Sequence, residues 1–164
     1  MVIRFADQEK DADSVWDIFE KVISTGDTYV FSPDTPREDL YQHWFGSAMD
    51  TFVAEKENKI VGTYILKPNH IDLGSHIANA SYMVHPDYHG QGIGKRMGLH
   101  SIDFARSKGY HGIQFNLVVS TNTPAIRLWK KLGWETVGRI PGGFRHPTLG
   151  FVDTLMMCRE VEGK

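Results

Sequence analysis

The residues of this chain best suited to chemistry run from Val84 to Arg96, reading Val-His-Pro-Asp-Tyr-His-Gly-Gln-Gly-Ile-Gly-Lys-Arg. Gly90, Gly92 and Gly94 alternate in a turn that joins an apolar strand pattern to a helical one. Without a Cβ, such positions reach positive φ and let a ligand approach the backbone closely. The helix that follows would aim its unpaired N–H groups and positive dipole end at that ligand, which is how proteins hold phosphate. Glycine-rich turns also form concave amide nests for anions. The segment therefore points to a phosphate-bearing cofactor, with ordinary turn chemistry as the alternative.

Two familiar phosphate loops fit poorly. A P-loop needs Ser or Thr after its lysine to hold magnesium, but Lys95 is followed by Arg96. A dinucleotide fingerprint needs G-x-G-x-x-G after the first strand. Here the spacing is G-x-G-x-G and the loop lies mid-chain.

The composition narrows the partners. The 164 residues suit one domain, taken here as 1–164, with 41% hydrophobic residues to fill a core. A net charge of −2 supplies no basic field, which argues against nucleic acid. A single cysteine, Cys158, allows neither an internal disulfide nor a cysteine-rich metal site. No stretch approaches the roughly 20 apolar residues that span a bilayer, and Met1 to Asp7 lacks a signal peptide's apolar run. The expectation is a cytoplasmic protein. His85 and His89 stand four apart, but in a strand-to-loop segment that spacing does not converge on a metal, so no metal site is assigned.

The elements that must position the loop follow from periodicity. Val2 to Ala6 reads as a strand, and Val15, Trp16, Ile18, Phe19, Val22 and Ile23 give one face of a helix ending before Gly26. Thr35-Pro36-Arg37-Glu38 reads as a capping box opening a second helix. Thr51 to Glu57 and Lys59 to Lys67 form a hairpin about a polar turn, and Ile77 to Val84 is the strand entering the glycine loop. Gly92 to Lys108 is helical, Gly112 to Ser120 a strand, Pro124 to Leu132 a helix and Trp134 to Ile140 a strand. After a Pro141-Gly142-Gly143 loop, the strand Gly150 to Arg159 closes the sheet. The order β-α-α-β-β-β-α-β-α-β-β predicts an α/β domain, with helices flanking a mixed sheet.

Two patterns in this frame carry a resemblance. His89-Gly90-Gln91-Gly92-Ile93-Gly94, with Pro86 upstream, falls on a loop signature of Arg or Gln, two residues, Gly, one residue, then Gly or Ala. Asn122, Ala125, Leu128, Trp129, Gly133 and Trp134 fall on Asn-x-x-Ala-x-x-Leu-Tyr followed by a Gly-aromatic step. Both belong to the GNAT superfamily of acetyl-CoA-dependent N-acetyltransferases, which the chain resembles in element order over nearly its full length. The resemblance implies that fold, with a mostly antiparallel sheet, and acetyl-CoA as co-substrate. It implies cofactor contacts from Tyr82, Met83, Val84, His89, Gly90, Gln91, Gly92, Ile93, Gly94, Lys95, Asn122 and Trp129. Two positions depart from the pattern. His89 replaces Arg or Gln, and Trp129 replaces the Tyr that many relatives use to protonate the departing thiolate. Indole is no proton donor at neutral pH, so Trp129 is read as packing against the cofactor.

Within the superfamily the chain is similar to enzymes that acetylate phosphinothricin or azetidine-2-carboxylate. The carrying segments are Gly26-Asp27-Thr28-Tyr29, Tyr64 to Asn69, Asn79-Ala80-Ser81-Tyr82 and Phe115-Asn116-Leu117-Val118. The implied reaction is direct acetyl transfer to the amine of a small amino-acid-like molecule. In that resemblance the strand before the loop bulges and offers the backbone N–H groups of Tyr82, Met83 and Val84 to the acetyl carbonyl and pantetheine arm. The catalytic assignments are Val84, Asn79 and Asn122. Asn79 lies five residues before Val84 and so faces the other side of the strand. It reads as a donor to the acceptor's carboxylate or an orienter of its amine, or else as a satisfied polar group within the sheet. The phosphinothricin-type enzymes place a Glu there as general base, and that carboxylate is absent. Asn116 carries the same ambiguity, and Asn122 is an N-cap by position. Tyr29, Phe31 and Tyr64 are assigned to the acceptor pocket. A protein N-terminal acetyltransferase and a non-catalytic acyl-CoA-binding module are the competing readings. Dimers are common among such relatives, which makes a homodimer an expectation by analogy.

Overall fold

The computed structural model describes residues 1–161. Its elements follow the expected order: β1 (Val2–Phe5), α1 (Gln8–Ile23), α2 (Leu40–Trp44), β2 (Asp50–Lys56), β3 (Lys59–Pro68), β4 (Ile77–Val84), α3 (Ile93–Ser107), β5 (Gly112–Val119), α4 (Thr123–Lys131), β6 (Glu135–His146) and β7 (Gly150–Glu160). Seven strands form one sheet in the order β1-β2-β3-β4-β5-β7-β6. Every neighbouring pair is antiparallel except β4 with β5. Among the described residues no helix is long and apolar enough to cross a membrane.

The sheet separates two apolar layers. On one face Phe52, Tyr64, Ala78, Ala80, Met97, Ile102, Phe115 and Trp134 pack beneath α3 and α4. On the other, Val15, Ile18, Phe19 and Ile23 of α1 join Leu40, Trp44, Ile65 and Met83. The alternation along β4 follows from the period of two: Ala78, Ala80, Tyr82 and Val84 turn to the α3 face, whereas Asn79, Ser81 and Met83 turn to the α1 face. Asp7 caps α1, its carboxylate accepting from the N–H groups of Glu9 and Lys10. Glu57 and Asn58 carry the β2–β3 hairpin with φ of 52° and 60°.

Four local expectations are corrected. The capping box at Thr35 does not form, because the Thr35 hydroxyl donates to the Ser32 carbonyl at 2.6 Å. The chain instead enters α2 through a 3-10 turn, Arg37–Asp39, with no side-chain cap. Pro141-Gly142-Gly143 is no loop between strands. It lies inside β6 as a bulge, where the β7 ladder slips between Ile140 and Phe144. Glycine permits this: Gly142 sits at φ +59°, and a Cβ on Gly143 would lie 2.5 Å from the Thr154 hydroxyl. The last strand does not close an edge either. β7 inserts between β5 and β6, and β6 is the edge strand. The bulge expected in β4 is also absent, since its register with β3 runs unbroken from Gly62 opposite Val84 to Pro68 opposite Ala78.

A charged cluster ties the N-terminus to the sheet. Arg4 bonds both carboxylate oxygens of Asp11, at 2.6 and 3.0 Å, and reaches Glu55 at 3.0 Å. Asp11 is only 5% exposed, and the Arg4 bond holds its carboxyl below the usual carboxylate range. A carboxylate depressed in the folded state adds stability above its unfolded value of about 4 and loses that contribution as pH falls through the folded value. Asp11→Asn is therefore expected to cost about 2 kcal/mol at pH 7. The difference from the parent should shrink below pH 4 in urea unfolding curves. A deficit independent of pH would show that packing, not the charge, is what Asp11 supplies.

Candidate active site

The parallel ladder between β4 and β5 joins only Ile77 to Gly112, Ala78 to Ile113 and Asn79 to Gln114. Beyond Asn79 the two strands part. The β5 ladder with β7 slips between Phe115 and Val118, a bulge that bends β5 away. Aromatic bulk fills the α3 side of the gap, with the Trp129 ring tilted against Tyr82 at 4.6 Å and edge-on to Phe115 at 4.8 Å. Residues of a strand alternate between facing a neighbour and turning from it. The backbone of Tyr82 and Val84 turns from β3 into the gap, and side chains meet it there. Tyr82 N–H donates to the Tyr29 hydroxyl at 3.1 Å, and that hydroxyl donates back to the Tyr82 carbonyl at 2.5 Å. His89 Nε2 lies 3.1 Å from the Val84 carbonyl, a contact that requires the proton on that nitrogen.

The glycine loop stands at the open end of this gap. Gly90 and Gly92 both adopt φ +76°, and nothing lies within 4 Å of where a Cβ would stand. Gly92 is the N-cap of α3, and no side chain caps that end. The first N–H groups of α3, from Ile93 to Lys95, therefore have no partner within the helix. Gln91 accepts from Lys56 at 3.0 Å, which ties the loop to the β2–β3 hairpin. Beside it, between α3 and α4, a cleft of about 380 Å³ is lined by Lys95, Arg127 and Lys131 with Pro124, Leu128 and Leu132. Open amides at a helix start, flanked by three cations, suit the phosphates of a nucleotide-bearing cofactor.

The other predicted cofactor residues are placed as follows. Tyr82 is fixed from both sides, its ring in the α3 core and its hydroxyl 2.7 Å from Ser101. Ile93 is buried, so only its backbone is available. Met83 is buried too, and its backbone faces Thr63 in the ladder with β3, so the N–H expected to meet the cofactor is turned away from the gap. Asn122 caps α4, accepting from Ala125 N–H at 3.3 Å. Trp129 is 7% exposed among Tyr82, Phe115 and Trp134, where it supports the gap as part of the core.

On the α1 face, side-chain amides gather where β4 and β5 separate. Asn79 Nδ2 donates to the Gln114 carbonyl at 3.0 Å. Gln114 donates to Asn116 Oδ1 at 2.9 Å, and Asn116 donates to Asn69 Oδ1 at 2.7 Å. Asn69 Nδ2 is a buried donor with no hydrogen-bond partner among the described residues. Asn79 thus has the structural partner that its alternative reading requires. Gln114 and Asn69 were not assigned from the sequence. Their signal was the period of two, which puts Gln114 and Asn116 on the same face of β5.

Of the aromatics assigned to an acceptor pocket, Tyr29 and Phe31 lie in the α1–α2 connection, their rings 6.1 Å apart, with Phe31 against Phe19 and His43. Tyr64 does not line that pocket. It is fully buried on the α3 face, stacked on Phe52, with its hydroxyl 2.6 Å from His100. Burial pushes the Tyr29, Tyr64 and Tyr82 phenols up, so all three remain protonated donors at neutral pH. Burial likewise pushes the Cys158 thiol up, the opposite of what a nucleophile needs. Among the described residues no cluster of three or more His, Cys, Asp or Glu could hold a metal ion.

Comparison with known proteins agrees with this geometry. The model of the acetyltransferase (GNAT) family matches residues 14–134. The N-acetyltransferase aca1 of Schizosaccharomyces pombe is 34% identical over 84 residues, which make up 51% of this chain and 40% of that protein. The chain spans 40% or less of the length of the curated relatives it matches. A GCN5-related N-acetyltransferase from Kribbella flavida superposes with a TM-score of 0.90 at 34% identity, over 97% of this chain and 96% of that one. The fold is also that of yncA from Salmonella typhimurium, solved with acetyl-CoA, with a TM-score of 0.85 at 22% identity over 100% and 95% of the two chains. With the signature loop on an uncapped helix start and a split beside the parallel strand pair, the chain belongs to the GNAT family of acetyltransferases, whose acyl donor is acetyl-CoA.

Proposed function

We propose that this chain transfers the acetyl group of acetyl-CoA directly to the amine of a small amino-acid-like acceptor. The observation that carries the reading is the β4–β5 split, which has open helix amides at one end and an amide-lined face at the other. In this reading the α3 amides and the glycine loop hold the pyrophosphate, and Tyr82 N–H meets the thioester oxygen. A donor aimed at a developing oxyanion contributes on the order of 3 kcal/mol, and alignment of amine and thioester in one cleft contributes more. The Asn69, Asn79, Gln114 and Asn116 amides supply donors for an acceptor's carboxylate, and the orphan Asn69 Nδ2 supports that assignment. Lone Cys158 fits a reducing, cytoplasmic setting.

The test is thiol release from acetyl-CoA against a panel of amino acids and short peptides. Release with free amino acids or their analogues is the expected result. Release with peptides alone would move the assignment to protein N-termini, and tight acetyl-CoA binding without turnover would indicate a binding module.

Asn79 cannot accept a proton, so the acceptor amine must arrive neutral or lose its proton to water. The logarithm of kcat/KM is then expected to rise with slope about +1 up to the amine's own pKa. An inflection between pH 5 and 7 would reveal an enzymic base and refute this account.

The β6 edge also supports a homodimer. Val137, Ile140, Leu149 and Phe151 are exposed along the β6–β7 hairpin, and β6 has no second neighbour in the sheet. Light scattering after size exclusion is expected to give twice the 18.6 kDa chain mass. A chain mass that stays single at micromolar concentration would remove the dimer.

A further inference from the structure

The Tyr29 hydroxyl lies where the proposed reaction needs empty space. A strand N–H offers one hydrogen in one direction, and Tyr82 N–H spends it on Tyr29 Oη at 3.1 Å. An acetyl carbonyl bound by that N–H would have to put its oxygen where the phenol oxygen now stands. The phenol is well held: its own hydrogen goes to the Tyr82 carbonyl, and its ring stacks on Phe31, which packs against Phe19.

We infer that Tyr29 is a placeholder for the thioester oxygen, rather than an acceptor-pocket residue. Its hydroxyl satisfies the Tyr82 N–H and C=O in the free protein and is displaced when an acetyl group arrives. A buried N–H left without a partner is costly, so the placeholder keeps the split formed and the donor aimed before any ligand binds. Displacement subtracts from the affinity for the acetylated cofactor alone. CoA has no carbonyl at that position and leaves the Tyr29 bond intact. Tyr29 is thus a positioning residue that acts through the Tyr82 backbone, an inference that rests on the acetyltransferase reading above.

The test is calorimetric titration of acetyl-CoA and CoA into the parent chain and into Tyr29→Phe, which keeps the ring and removes only the hydroxyl. Acetyl-CoA is expected to bind the variant about threefold to tenfold more tightly, the equivalent of one net hydrogen bond. CoA affinity should not change, and it serves as the folding control. Equal changes for both ligands would make Tyr29 merely structural, and weaker acetyl-CoA binding would make it a direct ligand; either result overturns the inference while leaving the acetyltransferase reading standing. A parent chain that binds neither ligand sinks both. In the unmodified chain labelled with ¹³C at tyrosine Cζ, acetyl-CoA is expected to shift the Tyr29 resonance and CoA to leave it in place. The same shift with both ligands would also count against displacement.

Discussion

The parallel ladder that joins β4 to β5 ends after three residue pairs, and the rest of the site is organised around that break. Any strand that loses its neighbour exposes a row of N–H and C=O groups that need partners. In an ordinary sheet such an edge faces solvent. Here it lies in the middle of a seven-stranded sheet, so the break makes a slot whose walls are backbone. The protein fills that slot with borrowed groups: Tyr29 at Tyr82, His89 at Val84 and Asn79 at Gln114. Each is a side chain reaching a main-chain atom, in place of the ladder bonds a neighbouring strand would make.

The two faces of the slot are built on opposite principles. Towards α3 it is aromatic, with Phe115 and Trp129 each packed against Tyr82 and Trp134. Such packing fixes backbone position to a fraction of an ångström, because close-packed interiors do not yield gradually. Towards α1 the lining is a chain of amides, which present donors and acceptors without a net charge. The first face keeps the strands apart, and the second leaves hydrogen-bonding capacity for a ligand. A carboxylate at Asn79 would have turned the same surface into a proton acceptor, and its absence shapes the chemistry expected there.

Much of this was legible in the residues. The glycine loop, the strand entering it and the helix leaving it all lie within a residue of where periodicity and turn chemistry put them. Asn122 caps α4 as its place before Thr123-Pro124 suggested. Other expectations failed for stated reasons. Thr35 was drawn to the nearer Ser32 carbonyl, which a local sequence rule does not weigh. Pro141 to Gly143 carries loop composition, yet the pairing of β6 with β7 continues on both sides and absorbs it as a bulge. Tyr64 reads like any strand aromatic, and only the alternation of faces buries it in the core beneath α3.

By itself the sequence determined the element order and the glycine turn before α3, because both depend on interactions between residues close along the chain. Glycine conformations, helix starts and apolar periods are local, and they survive in any fold that contains them. Only the tertiary structure decided where the sheet splits and what fills the gap. Tyr29 and Tyr82 are 53 residues apart, and Asn69 and Asn116 are 47 apart. No local pattern links such pairs. They meet because the packing of α1, the β5 bulge and the aromatic wedge bring them together.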